Sequence, residues 1–202
     1  MATVLVYEDE MHRRVLGKIF EFTNIDQSEF VDVSHRGKDY IDNNLVKYAQ
    51  ASQRVKVVLL RDLDQDFPCA PSLLSGLLVG SAARYHPDNF IFRVAVREVE
   101  AWFVADKAHF GEFFRINPNL LNTVIPEAMV KPKSEMLQLI MRGRLGSRMK
   151  ARFAQVGTAP IYPAAGYNQA MSEFVEGWSV ERAIRESNSL RRAVDSIKAK
   201  LS

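Results

Sequence analysis

Cysteine is almost absent from this chain. Cys69 is the only one in 202 residues, which excludes an internal disulfide and any zinc cluster built from cysteines. Long apolar runs are also missing: nothing approaches the roughly 18 consecutive apolar residues of a membrane span, so no membrane partner is expected. The four histidines, His12, His35, His86 and His109, are scattered without metal-ligand spacing; His12, near the front edge on the first helix, reads as a surface residue in preference to one that approaches substrate. Glycine-rich phosphate loops of the P-loop or dinucleotide kind do not occur, which argues against intrinsic ATP hydrolysis. The opening "MATVLVYEDE" enters a strand-like pattern without a basic or apolar leader, so a cytoplasmic protein is expected.

Net charge is low as well, at +3, but it is unevenly spread. Residues 131–202 carry 13 Lys/Arg against 6 Asp/Glu, while the rest carries 14 against 18. An acidic front with a basic back suits a metal site facing a polyanion, and it equally suits a solvated basic face. The apolar fraction of 47% and charged fraction of 25% are those of an ordinary globule.

Hydrophobic periodicity then supplies the layout. Strands are expected at residues 3–7, 30–34, 55–61 ("VKVVLLR") and 89–96, alternating with helices at 10–22, 38–49, 73–84 and 99–114. Four successive β–α units mean a mainly parallel, four-stranded or slightly larger sheet with helices on both faces. Beyond residue 114 the pattern turns Pro- and Asn-rich, with a helix from 135 to about 141 capped by Ser134. A final amphipathic helix runs from Ser179 to Leu201. The division drawn is an α/β core at 1–114 and a C-terminal helical extension at 115–202 packed on it.

Residues just after parallel strands share one sheet edge, where ligands bind. Glu8, Asp9 and Glu10 follow the first strand, Asp62, Asp64 and Asp66 the third, and Glu98 and Glu100 the fourth. Carboxylates gathered this way resist ionisation unless a cation neutralises them, and a hard divalent ion such as Mg²⁺ answers that need. While the chain stays extended, Asp62, Asp64 and Asp66 point to one side, until a turn heralded by Pro68 swings Asp66 away. Trp102, Phe103, Phe110, Phe113 and Phe114 recur at helical spacing and read as core. Arg142, Arg144, Arg148, Lys150 and Arg152 put five cations within eleven residues, with Gly143 and Gly146 loosening the backbone. That run is a phosphate-tracking loop or a solvated surface.

Two families place acids after a first strand. A phosphate-signalling receiver would use Asp9 and Glu10, with Asp62 as phosphoacceptor and "VKP" at 130–132 ending a fifth strand. However, "NFIFRVAVREVE" lacks the hydroxyl that a receiver needs after its fourth strand. The stretches "YEDEMHRRVLGKIF", "LLRDLDQDFPC", "RVAVREVEAWFVADK" and "KPKSEML" instead resemble the Toprim fold. That fold occurs in topoisomerases, primases, small ribonucleases and nucleases of the overcoming-lysogenization-defect type. The stretches look most like short Toprim-related bacterial families of unknown function often encoded beside phage-defence genes. The first motif departs from the pattern, with Glu8-Asp9 where Toprim proteins usually have Glu-Gly.

The resemblance implies a metal-dependent nuclease. Glu8 would be the general acid/base or an extra ligand, and Asp62 and Asp64 would hold Mg²⁺ (or Mn²⁺), with Asp66 as a further candidate. Glu98 or Glu100 would complete a second metal position. Lys131 or Lys133 would reach a phosphate, and the run from Arg142 to Arg152 would bind nucleic acid. The alternative of a different class is a non-catalytic module that binds nucleic acid or an ATPase encoded nearby. Whether the chain forms a homodimer is left open.

Overall fold

A central strand buried on both faces needs helices above and below it, and the chain supplies them in sequence order. The computed structural model describes residues 2–34, 37–78, 85–155, 157 and 160–202. Strands β1 (Thr3–Tyr7), β2 (Phe30–Ser34), β3 (Lys56–Asp62) and β4 (Phe90–Ala95) form one parallel sheet in the order β2-β1-β3-β4. Helices α1 (Glu10–Thr23), α2 (Lys38–Ala51) and α3 (Ala70–Leu78) connect them. The expected parallel α/β architecture is therefore present. Residues 79–84, expected to end the third helix, and His35 lie outside the described residues.

The step from β1 to β2 runs one way along the sheet, and the steps to β3 and β4 run the other. With right-handed crossovers this puts α1 on one face and α2 and α3 on the opposite face. Core residues sort by strand parity accordingly. Val57 and Leu59 cluster with Ile41, Leu45 and Leu73 from α2 and α3. Leu5, Val58 and Leu60, also fully buried, point the other way. The same parity carries on to the end of β3, so that Arg61 faces α2 and Asp62 faces α1.

Contacts divide the chain into two units, residues 1–96 with 191–202, and residues 97–190. The sequence reading drew its line after residue 114 instead. Within the second unit, α4 (Glu100–Ala105) contacts the 3₁₀ turn Pro126–Ala128, α7 (Pro132–Arg142) and α10 (Val180–Ala183). The other helices of this unit are α5 (Lys107–Phe114), α6 (Pro118–Asn122), α8 (Ser147–Phe153) and α9 (Tyr167–Gly177). Phe103, Phe110, Phe113, Phe114, Phe153 and Phe174 form its aromatic core, with ring centroids 4.8–6.4 Å apart and mostly edge-on. The aromatic stripe is core, as its spacing predicts.

Several helix boundaries differ from the sequence reading, among them the start of α3, at Ala70 rather than Leu73. The helix expected over 99–114 breaks at Asp106 (φ −81°, ψ 68°), which caps α5 through the His109 N–H at 3.2 Å. Asp106 is fully buried and also accepts from the Ser179 N–H at 2.9 Å and from Arg182 Nε at 2.7 Å. Those bonds outweigh one continuous helix. Ser179 caps a helix as expected, accepting from the Arg182 N–H, but α10 stops at Ala183 and α11 starts afresh at Asn188 (Asn188–Leu201). Ser134 is no cap: α7 begins at Pro132, whose missing N–H costs nothing at a first turn. Among the described residues no helix is long and apolar enough to cross a membrane.

Candidate metal centre

The chain leaves β1 toward β2, then crosses back to β3 on the other side of β1. At such a switch point the crossover helices diverge to opposite faces and leave a crevice beyond the carboxyl ends of the two strands. Glu8 directly follows β1, and Asp62 ends β3, its neighbour in the sheet. The Asp62 backbone N–H donates to Glu8 Oε1 at 2.8 Å, so the two strand ends are tied by the acid itself.

A third group completes the cluster. Asp9 is the N-cap of α1, with Oδ1 accepting from the Met11 N–H at 2.9 Å and the His12 N–H at 3.1 Å. The same oxygen lies 2.7 Å from Nδ1 of His12. The imidazole is thereby turned inward, 2% exposed, with Nε2 3.1 Å from Asp62 Oδ1. That contact has ion-pair distance but is poorly directed as a hydrogen bond. Glu8, His12 and Asp62 each offer one donor atom, all within 4.8 Å of one another.

The electrostatics follow from crowding. Burial and then the charge of Asp62 push the Glu8 carboxyl up to about 7, against the opposing pull of His12 and the Asp62 N–H. Burial alone would lower His12, but Asp62 and Asp9 together outweigh it and hold the imidazolium well above the ordinary histidine range.

The residues present fit a divalent ion. Two donors about 2.1 Å from one ion at right angles lie about 3 Å apart, close to the observed Asp62–His12 separation. Nε2 of His12 is a buried polar atom without a well-made hydrogen bond, and an ion would satisfy it. Sequence reading placed His12 at the surface, and this was wrong. The missed signal is positional: Asp9 is the N-cap and His12 the N3 residue, the pair of positions that exchange bonds in a capping box.

Asp64 and Asp66 follow a different course. The chain turns at Asp64 itself (φ 52°), earlier than Pro68 suggests, which ends the extended alternation. Lys38, the first residue of α2, bonds Asp64 Oδ2 at 2.8 Å and Asp66 Oδ2 at 2.9 Å, and these bonds raise its pKa above the ordinary lysine value. Gly37 places Lys38 there, with a φ of 79° that disfavours a side chain and an N–H that donates to the Glu8 carbonyl at 3.0 Å. Arg61, 1% exposed, grips Asp42 of α2 through two bonds of 2.8 Å and reaches Asp66 at 3.1 Å. Asp64 still acts on Glu8, whose pKa its charge helps raise.

Glu98 and Glu100 lie in the second unit and have partners there. Glu98 Oε2 accepts from the Lys133 N–H at 2.7 Å. Glu100, 1% exposed, receives the Tyr167 hydroxyl at 3.1 Å and Lys133 Nζ at 3.1 Å. The two acids thus hold the first turn of α7. The Lys131 side chain is exposed, while its N–H bonds Glu135 at 2.9 Å.

The five-cation run is part of two helices and their connection. Arg142, Arg144 and Arg148 are exposed; Lys150 donates to the Met141 carbonyl at 2.7 Å, and Arg152 pairs with Glu173. Gly143 does not loosen the backbone as expected. A Cβ there would meet the Phe114 carbonyl oxygen at 2.2 Å, so glycine permits a close approach.

No family model matches the chain, and no curated protein matches it. Among solved structures it is similar to the C-terminal region of the Burkholderia pseudomallei OLD protein, at TM-score 0.51 and 13% identity, covering 99% of this chain and 98% of that one. What they share is the fold. The receiver alternative is overturned by the sheet: among the described residues it has four strands, and Lys131 and Pro132 open a helix where a receiver needs a fifth strand's end.

Proposed function

We propose that this chain is a metal-dependent phosphodiester hydrolase acting on nucleic acid, of the Toprim kind. The observation that carries the reading is the meeting of Glu8, His12 and Asp62 at the switch point of the sheet. Two likenesses support it: the motif resemblance to Toprim proteins, among them nucleases of the overcoming-lysogenization-defect type, and the shared fold with the C-terminal region of an OLD protein. Fold likeness alone would not argue an activity; the site does.

In this reading Asp62, His12 and Glu8 hold the divalent ion, Mg²⁺ or Mn²⁺ in the first instance. When bound, it shields charge on the phosphodiester and makes a water more acidic. The protein's own groups do the rest. Glu8, fixed by the Asp62 N–H at 2.8 Å, would hold the ion or, where Asp62 and His12 suffice for that, exchange a proton with a water or leaving oxygen. Lys38, bonded to Asp64 at 2.8 Å, would be the cation placed to bond a phosphate oxygen, and Asp64 would be a further ligand for the ion. The exposed Arg142, Arg144 and Arg148, with Lys131, contact backbone phosphates. Glu98 and Glu100 anchor Lys133 and remain candidates for a second metal position.

The test is cleavage of single- and double-stranded DNA and RNA by purified protein with Mg²⁺ or Mn²⁺, alongside Asp62→Asn. Cutting by the wild type that the variant loses supports the reading, and equal cutting by both points to a contaminant and refutes it. A second reading, a binding module without catalysis, draws on Asp9, whose side chain occupies the usual glycine position. Binding without cutting under every ion would establish that one.

A further inference from the structure

The donor set at the switch point is mixed, two carboxylates and one imidazole, and the imidazole is held by a carboxylate of its own. Asp9 Oδ1 lies 2.7 Å from Nδ1 of His12, and the same oxygen accepts the Met11 and His12 N–H groups of the first turn of α1. An acceptor at Nδ1 keeps that nitrogen protonated, so the proton the ring gives up to an incoming ion is the one on Nε2, whose lone pair then faces Glu8 and Asp62. A carboxylate behind a ligating histidine fixes the tautomer and the ring angle and strengthens the ligand. Asp9 turns the ring inward, and Nε2 there is deeply buried and lacks a well-made hydrogen bond, with Asp62 Oδ1 3.1 Å away in the position of a fellow ligand.

Mg²⁺ takes oxygen ligands and keeps its waters, whereas imidazole suits the later first-row ions. We infer that Asp9 and His12 act as an outer and inner pair that makes this centre selective for a first-row transition ion, of the Co²⁺ or Zn²⁺ class, over Mg²⁺. The inference rests on the metal-site reading above and sharpens it. Asp9 is a positioning residue, and its presence where a glycine is usual becomes part of the site's chemistry.

Co²⁺ and Mg²⁺ serve as the probes, on the full chain. Calorimetric titration should show Co²⁺ binding at least 100-fold more tightly than Mg²⁺. The Co²⁺-loaded protein should show one strongly shifted, solvent-exchangeable proton resonance, from Nδ1–H of His12. Asp9→Asn keeps a good helix cap, since asparagine also caps, yet should weaken Co²⁺ about tenfold, within the range for lost outer partners. His12→Glu should close most of the gap between the two ions. Co²⁺ binding that depends on Asp62 but gives no shifted resonance overturns this inference alone, as does equal affinity for Co²⁺ and Mg²⁺. If neither ion binds the wild type, the metal-site reading fails with it.

Discussion

Replacing Glu8 by glutamine should stabilise the metal-free protein at neutral pH and destabilise the metal-bound one. Glutamine keeps the Oε1 acceptor for the Asp62 N–H at 2.8 Å but cannot ionise. The folded-state pKa of Glu8 is raised from 4.5 to about 7, chiefly by burial and by the charge of Asp62. A raised group contributes its stability below the unfolded value and loses it as pH climbs through the folded value. Wild-type stability should therefore fall between about pH 4.5 and pH 7.5, by about 2–3 kcal/mol at about 1.4 kcal/mol per pKa unit. His12 adds to the slope with the same sign: its stabilisation is complete below about pH 6.5 and is lost as pH rises through its higher folded value. In EDTA, Glu8→Gln should match wild type near pH 4.5 and exceed it by about 2–3 kcal/mol at pH 7.5. Urea unfolding at the two pH values measures this. With a saturating divalent ion the order should reverse, because binding stabilises wild type in proportion to the logarithm of free ion over its dissociation constant. A variant no more stable than wild type at pH 7.5 in EDTA would refute the idea that crowding at the switch point destabilises the charged site.

Further outcomes follow from other parts of the molecule. Asp106→Ala removes the cap of α5 and the acceptor of the Ser179 N–H, while Arg182, 45% exposed, turns to water, and should cost about 2–3 kcal/mol in chemical denaturation; a loss below about 0.5 kcal/mol would mean that the break after α4 does not depend on this acid. Gly143→Ala forces a methyl against the Phe114 carbonyl, so thermal unfolding should shift to clearly lower temperature, whereas Gly146→Ala, with open space around it, should not. Changing Arg142, Arg144 and Arg148 together to glutamine should weaken nucleic-acid binding uniformly across sequences and reduce the salt slope by up to about 3; an unchanged slope would take the nucleic acid off this face.

Much of the sheet was legible because strands and helices leave local signatures. The apolar run of β3 and the 3.6-residue periodicity of α1 are properties of neighbouring residues, and the elements formed where the pattern predicts. Breaks governed by distant partners were not legible. Asp106 ends a helix because Ser179 and Arg182, more than seventy residues later, supply its bonds. Gly143 looks like a flexible joint until the Phe114 carbonyl is placed against it.

The same division holds at the site. By itself the sequence determined that acids follow the strands, and parallel β–α units necessarily bring such residues to one edge. Only the tertiary structure decided which of them meet. Strand order 2-1-3-4 makes Glu8 and Asp62 neighbours, strand parity turns Asp62 toward α1 and Arg61 toward α2, and the left-handed turn at Asp64 delivers it to Lys38. His12 joined the acids because a helix cap three residues earlier rotated its ring inward. Side-chain direction depends on backbone angles and on partners far along the chain, and residue spacing carries neither.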